Sequence, residues 1–301
     1  MSDTETSAVQ SDDCDYDVVV VGGGPAGCSA GVFTARYGLD TLVFDRGRSS
    51  LQRCAHLENY LGFPAGIGIE TLYSLMHDHV EEAGCTLVSD LVESVTRRDA
   101  GEGFVVDPQE GNAVTARRVV AATRYDGSYL RPLDDGMFVE SEHGGEPDEE
   151  FDRSYADADG STPVAGLYVT SPSEESDRQA IIAAGRGARV ALTLIEDLRR
   201  ERGYFGDVAK PYDWVRRTAE LTDEWADPER WREYLDAQRP DEHDVDASRW
   251  TELREAEIER RLDAYVSDET IDTRDERSQR RLLDHVDDEL ILERARELDA
   301  S

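Results

Sequence analysis

Apolar residues in the first two-thirds of the chain fall in short unbroken runs, whereas those in the last third fall in helical stripes. Residues 18–21 are four valines in succession, the pattern of a strand covered on both faces. The run ends in Gly22-Gly23-Gly24-Pro25-Ala26-Gly27, and residues 26–36, rich in small side chains, predict a helix closed by Gly38. A second apolar run occupies 41–44. Residues 71–83 predict an amphipathic helix with Leu72, Leu75, Met76, His79 and Val80 on one side. Strand character returns over 86–95, 103–107, 113–123 and 164–170. A long helix is expected over 177–200, where Ala183, Ala184, Gly185, Gly187 and Ala188 imply close approach to a neighbour or ligand. The intervening 124–161, acidic and rich in turn residues, reads as loop with one short strand pair.

From Gly203 onward Asp, Glu and Arg dominate, with Trp214, Trp225, Trp231 and Trp250 interspersed. Ser248 is placed to cap a helix carrying Trp250, Leu253, Ile258, Leu262 and Tyr265. Leu283, Val286, Leu290 and Leu298 predict one terminal helix. Such stripes more often mean packing or dimerisation than a cofactor pocket. The pattern predicts an α/β fold, a Rossmann-like dinucleotide-binding domain over 16–202 with a parallel sheet and a small β meander. An α-helical extension over 203–301 follows. Residues 1–15 are polar and acidic, unlike a signal peptide, and are expected to form a disordered leader.

Gly22, Gly24 and Gly27 fill the Gly-x-Gly-x-x-Gly pattern after a strand and at the start of a helix. The first glycine permits a tight turn, the second lets backbone approach a diphosphate, and the third lets helix pack on strand. The diphosphate then meets unpaired N–H groups and the positive end of the helix dipole. Pro25 suits a first helical turn. Asp45, ending the second strand, has the position of a carboxylate that binds a ribose hydroxyl.

Composition narrows the partners. The formal net charge is −34, from 67 acidic against 33 basic residues, and Lys210 is the single lysine. Such a surface repels phosphate backbones, so nucleic acid is not an expected partner. Acid-rich, lysine-poor composition resembles that of cytosolic proteins of extreme halophiles. No apolar run approaches the length of a membrane span. Cys14, Cys28, Cys54 and Cys85 contain no Cys-x-x-Cys, so neither zinc nor a disulfide framework is expected, and a reducing cytoplasm fits. Cys54, beside Arg53, is a candidate redox thiol. His56 is a candidate proton donor.

Four stretches resemble the flavin domain of low-molecular-weight thioredoxin reductases. Residues 18–27 are similar to the FAD diphosphate loop. Leu57-Glu58-Asn59-Tyr60-Leu61-Gly62-Phe63-Pro64 is similar to that family's Glu-Asn-Tyr-Pro-Gly-Phe-Pro. Residues 119–123 resemble the strand ending in Ala-Thr-Gly, and Gly166-Leu167-Tyr168 with Arg178-Gln179-Ala180 resembles the closing FAD motif. The resemblance implies that Gly22, Gly24, Pro25, Ala26 and Gly27 hold the FAD diphosphate and that Asp45 binds the adenosine ribose, with Arg46 flanking the adenine. Asn59 is placed along the flavin, and Gln179 and Ala180 present backbone N–H groups to it. It also implies a homodimer. The departures are specific. Only 124–161 stands where the family inserts an NADPH domain, the redox Cys-x-x-Cys is missing, Arg124 replaces the motif glycine, and Ser171-Pro172 replaces Gly-Asp. Arg124 either contacts the pyrophosphate or ribityl chain or excludes the flavin. Three readings follow. One is an FAD-dependent oxidoreductase fed by NAD(P)H or a protein electron carrier. The others are a non-catalytic binder of FAD or an ADP-containing ligand, and a small NAD dehydrogenase.

Overall fold

Strand β1 (Tyr16–Val21) lies between two parallel neighbours, β2 (Thr41–Phe44) and β6 (Val114–Ala122), and its Val18, Val19 and Val20 are wholly buried. The computed structural model describes residues 14–47, 50–99, 101–143, 146–174, 179–240 and 243–300. These form two compact units. One contains the described residues up to 54 together with 59–61 and 79–191; the other contains 55–58, 62–78 and everything described from 192 onward.

In the first unit, helix α1 (Pro25–Arg36) joins β1 to β2, and β3 (Thr86–Val88) extends the parallel sheet beyond β2. Strands β4 (Val92–Arg97) and β5 (Phe104–Pro108) form the antiparallel meander. The sheet order is β3-β2-β1-β6-β5-β4, with β9 (Leu167–Ser171) also paired to β6. Strand β6 therefore serves two partners along one edge. Its residues 114–116 pair antiparallel with β5, and 119–122 pair parallel with β9. Its core is built around Val19, Val21, Phe104, Val119 and Val169.

The expected strand over 86–95 is two strands. Val88 ends a parallel pairing with β2, whereas Val92 begins an antiparallel pairing with β5. Asp90 makes the break: its carboxylate accepts from the N–H groups of Leu91, Glu110 and Gly111. The expected loop over 124–161 contains the foreseen pair, β7 (Phe138–His143) with β8 (Glu146–Phe151). It also sends Tyr129, Leu130, Met137 and Phe151 into the core, single apolar residues without the period that would have marked them. Of the acidic leader, residues 1–13 lie outside the described residues. Asp15 is pinned to the sheet, accepting from Thr115 N–H and Oγ1, both at 2.8 Å. These bonds hold its carboxyl below the usual aspartate range.

In the second unit lie helices α2 (Ile69–Glu82, in part), α4 (Pro228–Ala237), α5 (Ala247–Asp263), α6 (Asp268–Leu283) and α7 (Asp288–Asp299). Helix α3 (Ala180–Arg202) contributes its first part to one unit and its remainder to the other. Tyr204, Val208, Leu235, Trp250, Leu253 and Ile258 form the core of the second unit. Asp246, not Ser248, caps α5, its carboxylate accepting from Arg249 N–H at 2.9 Å. The expected terminal helix is two helices, because Asp287 starts a new one by capping Glu289 N–H. Two short strands, β10 (Arg216–Arg217) and β11 (Tyr265–Val266), interrupt the all-helical expectation.

A buried ion pair lies in the second unit. Arg199 and Glu257 are each 1 % exposed and meet at 2.8 Å. Arg199 also donates to the carbonyls of Val208 and Ala209, and Glu257 also accepts from Arg260 and Arg261. Burial pushes the Glu257 carboxyl up, but Arg260, Arg199 and Arg261 outweigh it and hold it at about 2. Among the described residues no helix is long and apolar enough to cross a membrane.

Candidate functional site

The glycine turn is fixed from both sides. Gly22 N–H donates to Phe44 O at 2.8 Å, and Gly22 takes φ +118°, a conformation that L side chains rarely adopt. A Cβ on Gly22 would lie 2.6 Å from Ala122 O, and one on Gly27 would lie 1.7 Å from Gly22 O. The third motif glycine thus lets α1 sit directly on the turn, as the motif requires. Pro25 opens the helix and Gly24 is its N-cap. No side chain caps this end and no acid stands in its first turn. Its leading N–H groups are left to an anion from outside the helix.

A cleft opens at this terminus. Gly22, Gly23, Gly24, Pro25 and Ala26 form one wall, with Asp45 and Arg46 beyond the end of β2. Ala122, Thr123, Arg124 and Tyr125 follow from β6, and Thr170, Ser171, Gln179 and Ala180 complete it from β9 and the start of α3. Nine of the residues expected from sequence therefore share one cleft: Gly22, Gly24, Pro25, Ala26, Asp45, Arg46, Arg124, Gln179 and Ala180. Gly27 lies just behind the wall. Asn59 joins through Gln179, its Nδ2 donating to Gln179 Oε1 at 2.8 Å. Arg178 lies outside the described residues.

Asp45 leans over the turn, so that a Cβ on Gly23 would meet its side chain at 2.4 Å. Its Oδ1 accepts from Gly47 N–H at 3.0 Å. Arg124 Nη1 donates to Ser50 Oγ at 2.6 Å, and its guanidinium lies over the Tyr125 ring. Arg46 stands 4.0 Å from the Asp126 carboxylate. The small-residue stretch of α3 makes the close approach expected of it, since a Cβ on Gly187 would lie 2.0 Å from Ala26 O.

Sequence reasoning missed Ser50, Leu51 and Arg186, which also line the cleft, as does Ala183 of the small-residue stretch. Arg186 is buried and donates to the carbonyls of Thr170 and Ala158 at 2.8 and 3.0 Å, tying α3 to the end of β9. A lone cation within a run of alanine and glycine was its available signal.

The two residues expected to carry chemistry are not in the wall. Cys54 and His56 are exposed, and neither lines the cleft. Cys54 closes a short helical turn, its N–H donating to Leu51 O. The His56 ring packs over Gly66, where a Cβ would meet it at 2.5 Å. Cys28, on α1 beside the cleft, is buried and donates to Gly23 O at 3.2 Å. Burial, with Asp45 and Cys85 adding to it, pushes its thiol up to about 12, so it is no nucleophile at neutral pH.

Residues 16–153 match the family model described as Pyridine nucleotide-disulphide oxidoreductase. That part of the chain is a thioredoxin-reductase-like domain. The thioredoxin reductase of Listeria innocua is 42% identical to this chain over 110 residues, 36% of this chain and 33% of the relative. That of Bacillus subtilis is 38% identical over 109 residues, again 36% of this chain and 33% of the relative. The chain spans about a third of the length of these curated relatives. A thioredoxin reductase structure from Gloeobacter violaceus superposes with a TM-score of 0.50 at 19% identity, covering 67% of this chain and 98% of that one. At that identity the match shows the fold. The thioredoxin-reductase-like domain thus combines a Rossmann-like α/β fold with an uncapped, glycine-walled helix terminus.

Proposed function

We propose that the first unit binds FAD and that the protein is an oxidoreductase reduced by an external donor, either a diffusible nicotinamide nucleotide or a protein electron carrier. The observation that carries this reading is the uncapped N-terminus of α1, walled by glycine and sharing its cleft with Asp45. Gly22, Gly24, Pro25, Ala26 and Gly27 would hold the diphosphate, Asp45 the adenosine ribose and Arg46 the adenine. Asn59, Gln179 and Ala180 would stand at the flavin end, where the N-terminus of α3 favours negative charge. The flavin, when bound, supplies electron-transfer chemistry that none of these side chains can. Disulfide reduction of thioredoxin is not proposed, because these residues contain no Cys-x-x-Cys. Protein purified in molar KCl is expected to show flavin absorbance at about one chromophore per chain.

A second reading is favoured by one contact. Arg124 is held on Ser50, and Pro172 brings neither a carboxylate nor an N–H to the end of β9. Both changes fall in the flavin half, so the cleft would then serve an ADP-containing ligand alone in a non-catalytic role. Colourless protein that releases an adenine nucleotide on denaturation decides for this reading over the first.

We further propose that the protein works at high salt. Its charge of −34 repels itself in dilute buffer. At 1 M salt the Debye length falls to about 3 Å and the repulsion is screened. The melting temperature is expected to rise by at least ~10 °C between 0.1 and 2 M KCl. A flat dependence refutes the proposal.

A further inference from the structure

We infer that the second unit carries a nucleotide site of its own, built on Trp214, Arg216 and Arg274. It stands on different residues from the FAD reading and does not depend on it.

The segment that leads into β10 is fixed on α5. Arg260 Nη1 donates to Tyr212 O at 2.8 Å, and Arg216 N–H donates to Ala264 O at 2.7 Å. Residues 216–217 then pair with 265–266. A cleft of about 680 Å³ opens beside it, lined by Trp214, Arg216, Arg217, Glu220, Arg274 and Asp275 among others. That volume lies within the range of small-ligand pockets.

Three features identify what would fill it. Trp214 is 67% exposed, and its indole lies 5.8 Å from the Tyr212 ring at an interplanar angle of 16°. An exposed indole backed by a second parallel ring is a stacking platform for a flat aromatic group.

The cations are the second feature. Acids outnumber bases two to one in this chain, and most arginines of the second unit, Arg217 on Asp268 among them, are paired with carboxylates. Arg216 instead bonds the hydroxyls of Tyr212 and Tyr265, and Arg274 makes no hydrogen bond or ion pair among the described residues. Two guanidinium groups with no carboxylate partner, beside an exposed indole, suit a phosphate. The third feature is the pair of carboxylates, Glu220 and Asp275, in the same lining. They oppose an extended polyanion but accept the hydroxyls of a ribose, as a carboxylate does in dinucleotide sites. Base on Trp214, ribose at the carboxylates and one phosphate at the arginines make a nucleoside monophosphate the ligand class.

The test titrates the full chain with 5′-AMP, at the lowest KCl concentration that keeps it folded by circular dichroism, following equilibrium dialysis and tryptophan fluorescence. One saturable AMP is expected per chain in the Gly24→Val protein, whose first cleft is obstructed. Adenosine and inorganic phosphate are each expected to bind at least tenfold more weakly than AMP. Trp214→Ala and Arg274→Glu, both at exposed positions, are expected to weaken AMP at least tenfold when each is combined with Gly24→Val, with flavin content unchanged when each is made alone in the wild-type chain. Loss of AMP binding in Gly24→Val assigns it to the first cleft and overturns the inference. So does undiminished binding in both second-unit variants, or phosphate binding as well as AMP. Flavin absorbance of the wild-type chain tests the first cleft separately, so the two readings can fail independently.

Discussion

Gly24→Val is expected to yield a folded protein with no bound flavin. Gly24 takes φ −82° and ψ −173°, a backbone region open to any residue, so the substitution carries no conformational strain. Losing glycine as the N-cap costs the helix about 1 kcal/mol at most. The isopropyl group would instead stand in the cleft that Gly24 lines, where the proposed diphosphate would approach the backbone. Gly27→Val is the contrasting control. Its Cβ alone would lie 1.7 Å from Gly22 O, so α1 cannot keep its seat on the turn. That variant is expected to be insoluble or unfolded. Circular dichroism separates the two outcomes, and absorbance per chain reads the flavin. A Gly24→Val protein carrying wild-type flavin would remove the diphosphate from this end of the helix and with it the proposed function.

Glu257→Ala is expected to be the most damaging change in the second unit, lowering stability by about 3–5 kcal/mol. The carboxylate is 1 % exposed and answers three arginines, of which Arg199 is equally buried. Deleting it removes the carboxylate that the buried Arg199 guanidinium meets at 2.8 Å. The pH dependence has a definite sign. The folded carboxyl titrates at about 2, below its ordinary value of 4.5. Its contribution is therefore complete above pH 4.5 and is lost as pH falls toward 2. Urea unfolding in constant high salt should show the gap between wild type and Glu257→Gln narrowing over that window. A gap that stays constant from pH 6 to pH 2.5 contradicts the ion-pair account.

The legible parts of the chain were those whose local chemistry is self-contained. The valines of β1, the glycine turn and Asp45 announce themselves within a few residues, because a two-sided buried strand, a tight turn and a helix start each need particular side chains in sequence. The recurrence of Gln179 and Ala180 opposite that turn came from family resemblance; no local pattern brings residues from the last strand back to the first. Strands β3 and β4 read as one in sequence because Val88 and Val92 look alike, and only the Asp90 turn between them decides that they join different neighbours. Met137 and Phe151 carry no core signal in sequence, because tertiary packing alone explains their burial. Arg199 and Glu257, 58 positions apart, carry no mark in sequence that distinguishes them from dozens of surface charges.

Strand β6 accepts β5 and β9 on successive lengths of one edge, and its link to β9 carries the β7–β8 hairpin. The strand pairings are thus made before and after that link, and the link itself adds Tyr129, Leu130, Met137 and Phe151 to the core. Loop-closure entropy grows only logarithmically with length, so the stretch between the anchors Met137 and Phe151 can lengthen into a whole module at a closure cost of a few kcal/mol. The position behaves as a socket: evolution could unplug a domain there and leave a working Rossmann platform behind, and an engineer could plug another one in.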